Sequence, residues 1–94
     1  MTVQKICTEI EILLSDMGFT GIRNVQPVLL RKMENMKAGL LELSMNEGAK
    51  QIDDFLLSIR AYHTHSLSIG TVVDKLCALD FYVKTVLGNI HSNT

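Results

Sequence analysis

Tryptophan is absent from this sequence, proline occurs once, and glycine occurs six times in 94 residues. So few turn formers disfavour a β-sandwich or barrel, which needs frequent tight turns between short strands. Aromatic residues make up 5% of the chain and hydrophobic residues 47%, so the core it can build is aliphatic. Runs of like charge are missing too, and nine Lys and Arg stand against ten Asp and Glu. That balance lacks the basic surface on which nucleic-acid binding rests, and it offers an anionic membrane no attraction. Nor is there an apolar run long enough for a signal peptide or a membrane span. The two cysteines, Cys7 and Cys77, lie far apart and fit no CxxC pattern. These absences together predict a cytoplasmic protein with reduced thiols. A single disulfide from the first helix to the last is the alternative in an oxidising compartment.

What is present is helical periodicity. Val3, Ile6, Cys7, Ile10, Leu13, Leu14 and Met17 recur at threes and fours, which predicts an amphipathic helix over 2–17 stopped by Gly18. Phe19 and Ile22 follow in a short connection and are expected under the bundle. Val25, Leu29, Met33, Met36, Leu40 and Leu43 form one stripe of a second helix over 25–43, with Asn24 as N-cap and Pro27 in its first turn. Ala49, Ile52, Phe55, Leu56, Ile59 and Tyr62 share a face of a third helix over 47–63. Val72, Leu76, Leu79, Val83 and Val86 line a fourth over 69–87, leaving 89–94 as a frayed tail.

The second and third segments could be one long helix, but the apolar stripe jumps by roughly 130° between Leu43 and Ala49. A straight helix cannot turn both stripes to one core. Ser44 followed by Glu47 and Gly48 also reads as a capping box after a tight turn. The predicted fold is therefore all-α, a single domain built as an up-down-up-down antiparallel four-helix bundle.

Some apolar residues miss these stripes. Ile12 points away from the core face of the first helix, Leu30 and Leu41 lie to one side of the second, and Leu57 opposes the main face of the third. Cys77 and Phe81 form an i, i+4 pair nearly opposite Val72 and Leu76. Outward aliphatics together with a phenylalanine suggest a contact patch. The bland alternative is a wider buried arc on the fourth helix. The expected function is association without catalysis, with a second copy or another helical protein as partner and no cofactor.

Chemistry-bearing residues concentrate between Arg60 and Gly70. His63 and His65 diverge by about 200° on a helix, so they cannot share a metal there, and no further ligand lies nearby in sequence. His63 falls on the same face as Ile52, Leu56 and Ile59. No H-x-x-K-G follows either histidine, as it does in histidine phosphotransfer domains. Arg60 and His65 are separated by four residues. This resembles the R-x(4–6)-H motif of HEPN domains, which are all-helical and often metal-independent ribonucleases. The resemblance implies that Arg60 would bind a phosphate bidentately while His65 moves a proton. Ala61 stands where that motif commonly has a polar residue.

Overall fold

The computed structural model describes residues 2–21 and 27–92, the side chains of 19, 20, 91 and 92 excepted. Four helices follow in order: α1 (Val3–Thr20), α2 (Pro27–Glu42), α3 (Asn46–His63) and α4 (Ile69–Ser92). The described residues contain no strand. The bundle measures 44 × 21 × 20 Å, its long dimension set by the helices. α1 packs against α2 and α4, and α3 packs against the same two. Each helix therefore has two neighbours and one outer side.

The helical stripes meet in one core. Ile6, Ile10 and Met17 of α1, Met33 and Leu40 of α2, Ile52, Phe55, Leu56 and Ile59 of α3, and Val72, Leu79 and Val83 of α4 are its largest fully buried side chains. Leu29, Leu43, Tyr62, Leu76 and Val86 are half-buried against it. Ser58 is the buried polar residue among those described; its hydroxyl donates back to the Phe55 carbonyl at 2.6 Å, so its burial leaves no orphaned group.

Helix ends depart from the sequence expectation for backbone reasons. α1 is capped by Thr2, whose hydroxyl accepts from the Lys5 N–H at 3.1 Å. It does not stop at Gly18 but runs to Thr20. Gly21 at φ 89° closes it, donating its N–H to the Met17 carbonyl at 2.9 Å. Glycine can hold that left-handed angle without strain. α4 continues past Gly88 to Ser92, so 89–92 is helix and not frayed chain. Asn24, Val25 and Ile22, and the side chain of Phe19, lie outside the described residues.

The α2–α3 break is real, which removes the single-long-helix alternative, but Ser44 is not its N-cap. Ser44 sits at φ 61° and ends α2 in a Schellman motif: the Ser44 N–H donates to the Leu41 carbonyl at 3.0 Å and the Met45 N–H to the Leu40 carbonyl at 2.9 Å. The N-cap of α3 falls to Met45, whose side chain supplies no cap. Tertiary structure covers this end instead, because the ring and hydroxyl of Tyr82 from α4 pack over Gly48 in the first turn of α3. Gly48 is buried for this reason: a Cβ there would lie 2.9 Å from Tyr82 Cε1 and 3.1 Å from Leu40 Cδ1. Burial pushes the Tyr82 hydroxyl above its ordinary value, with Cys7 and Glu47 adding to the rise and Gly48 opposing it.

Candidate functional site

α4 is the longest helix, 24 residues, and its outer side carries the least expected surface. Phe81 is 74% exposed, the largest value among the described large hydrophobics. Cys77 and Val73, one and two turns before it, are exposed on the same side. Val73 extends the outward pair of Cys77 and Phe81 by one more i, i+4 step. The wider-arc alternative for Cys77 and Phe81 is thereby removed, since α1 and α3 cover the other side of α4.

The remaining apolar candidates do not join this surface. Leu30 packs half-buried against the core, because α2 lies between two helices and its covered arc extends to that side. Ile12 is exposed at the rim of an α1–α2 groove of about 340 Å³ that Glu9, Lys32 and Met36 also line. Leu41 is exposed beside Lys37, Lys50 and Asp53 in a shallow α2–α3 groove, and Leu57 stands out from α3.

The α3–α4 turn gives His65 a place in the backbone. His65 is at φ 63° and closes α3 as Ser44 closes α2. The His65 N–H donates to the Tyr62 carbonyl at 3.0 Å and the Ser66 N–H to the Ala61 carbonyl at 2.8 Å. This Schellman cap gives His65 a backbone role at the position glycine usually holds. Histidine is among the few side chains enriched there, yet it still bears left-handed strain. His65→Gly should therefore raise stability by about 0.5–1 kcal/mol, read as a higher urea midpoint with unchanged slope. A lower midpoint would contradict the cap. His63, the last residue of α3, is exposed instead of closing the core stripe, and its ring tilts against Tyr62 with centroids 5.9 Å apart. Ser68 caps α4, accepting from the Thr71 N–H at 3.4 Å.

Arg60 is held elsewhere. Its Nη2 lies 3.0 Å from Glu34 Oε1 across the α2–α3 face. Lys37 Nζ sits 3.0 Å from Glu34 Oε2 and 3.1 Å from Asp53 Oδ1, joining four side chains in one network. Lys37 holds the Glu34 carboxyl below its ordinary range, with Arg60 assisting. Glu34 and then Asp53 hold the Lys37 ammonium above its own. A lowered carboxyl contributes stability above the ordinary carboxylate range and loses it as pH falls through the lowered value; a raised ammonium loses its contribution on the alkaline side. Because the network is solvent-screened, Glu34→Gln should cost only about 0.5 kcal/mol at neutral pH. The difference from wild type should vanish in acid, as thermal melts across pH would record; a difference that persists there would refute the assignment.

Cys7 and Cys77 are free thiols. No bridge ties α1 to α4 because Cys7 is in the core and Cys77 on the outer side. Burial pushes the Cys7 thiol above its ordinary value, and Glu11 adds to the rise. Among the described residues no three His, Cys, Asp or Glu side chains cluster to hold a metal, and no helix is long and apolar enough to cross a membrane. No family model, curated protein or solved structure matches the chain.

Proposed function

We propose that this chain acts by protein–protein association through the outer side of α4, without catalysis of its own, in a compartment that keeps Cys77 reduced, such as the cytoplasm. The observation that carries the reading is Phe81, 74% exposed in the middle of a helix whose Val73 and Cys77 continue the same apolar line. Single outward hydrophobics are common on protein surfaces, whereas contiguous apolar lines mark contact sites. An aromatic anchor set among small and aliphatic neighbours is also the composition of an interface centre. Connections of three and five residues between successive helices support the up-down-up-down antiparallel course, in which α4 packs on α1 and α3 and keeps this side outward.

Phe81→Asp tests it. The variant should keep the helical circular-dichroism signal, because Phe81 is 74% exposed and lies outside the core cluster. Light scattering should report a lower mass than for wild type. An unchanged mass would refute this surface as the interface.

A further inference from the structure

The outer side of α4 carries a self-complementary pattern. Gly70, Asp74, Cys77, Phe81, Lys84 and Gly88 are all exposed, and they follow one another at intervals of four, three, four, three and four residues. That is the spacing of a coiled-coil seam, with Cys77 and Phe81 as its apolar centre and charged and glycine positions on either side. The seam is also a palindrome in chemistry. Gly70 and Gly88, Asp74 and Lys84, and Cys77 and Phe81 are three pairs, each centred on Leu79.

We infer that the occupant of this surface is a second copy of the chain, its α4 lying antiparallel across the first about a two-fold axis at Leu79. The inference rests on the association reading above and adds partner, direction and register. In a two-fold interface residue i meets j while j meets i, and a palindromic seam satisfies this with one surface. Asp74 then faces Lys84 of the other copy, twice. Cys77 packs under Phe81 of the other copy, twice. Glycines meet at both ends, where the absence of side chains lets the backbones approach. A parallel arrangement would set Asp74 against Asp74 and Lys84 against Lys84, so charge selects the antiparallel one. In the single chain Lys84 reaches Asp80 at 2.9 Å, one turn back, at the edge of an α1–α4 groove that Glu11 also lines; its side chain is 64% exposed, so the ammonium can swing outward to a second carboxylate. The seam spans roughly 27 Å, and a single helix pair falls short of the ~800 Å² per partner typical of a stable interface, so the dimer is reversible with concentration.

The test is charge reversal read by sedimentation, with carbodiimide cross-linking. Asp74→Lys and Lys84→Asp should each weaken the dimer about ten-fold or more, and the double variant should restore it to near wild type. Carbodiimide should couple Asp74 of one copy to Lys84 of the other, identified by mass spectrometry on mixed light and heavy chains. If Phe81→Asp dissociates the dimer but the double variant fails to recover, or the cross-link joins other residues, the register is wrong while the α4 interface stands. A dimer indifferent to Phe81→Asp, or a wild type monomeric at every concentration, overturns both.

Discussion

Replacing Phe55 by alanine is expected to remove about 3–5 kcal/mol of stability. Phe55 is fully buried at the middle of α3, among Ile52, Leu56 and Ile59 from its own helix and the aliphatic side chains of the other three. The core has no tryptophan and Phe55 is its bulkiest member, so no neighbour is large enough to fill the space left behind. The loss combines the transfer free energy of the ring with the cost of the cavity. A chain of this length holds of the order of 5–14 kcal/mol in total, so the variant would keep only a fraction of it. The melting temperature should drop by more than about 12 °C. Phe81→Ala is the internal control: the same chemical change on the outer side of α4 should shift the stability of the dilute protein by less than about 0.5 kcal/mol. Similar losses at Phe55 and Phe81 would contradict the orientation of the two helices.

Gly48→Val is expected to cost about 2–3 kcal/mol, against the usual rule that replacing a helical glycine helps. Any Cβ there meets the Tyr82 ring at 2.9 Å and the Leu40 methyl at 3.1 Å, and valine adds two methyl groups. Relief would require Tyr82 to leave, which would also uncover the first turn of α3. Gly18, inside α1 with nothing near its Cβ position, should behave in the ordinary way and gain about 0.5–1 kcal/mol as alanine. Urea denaturation of both glycine variants checks the contrast. Adding Tyr82→Ala to Gly48→Val should recover part of the loss, and a double-mutant cycle showing no coupling would remove the contact from the account.

The stripes were legible because a 3.6-residue period leaves a direct trace in which positions are apolar. Cys77 and Phe81 were legible as outward for the same reason, being almost opposite Val72 and Leu76. The ends were harder to read. Gly18 looks like a stop, and only backbone geometry shows that Gly21, three residues on, takes the left-handed angle. Ser44 and Glu47 have the spacing of a capping box, yet Ser44 is spent closing the preceding helix. The α2–α3 and α3–α4 turns each place a non-glycine residue, Ser44 or His65, at the left-handed position, so the usual glycine signal is missing there. His65 stands out in the sequence as a side chain, and the part the structure gives it is main-chain. The pairing of Gly48 with Tyr82 joins residues far apart in the chain, and a single sequence holds no trace of it. Asp74, Lys84 and the terminal glycines of the seam become meaningful only once the outer side of α4 is known.

The most direct test of the central claim is a dilution series followed residue by residue in nuclear magnetic resonance. Lowering the protein concentration should shift the amide resonances of Val73, Cys77, Phe81 and Lys84 together along one curve, while those near Ile12, Leu41 and Leu57 stay still. Shifts centred on Ile12, Leu41 or Leu57, or a spectrum that does not change at all, would contradict α4 as the surface through which this protein acts.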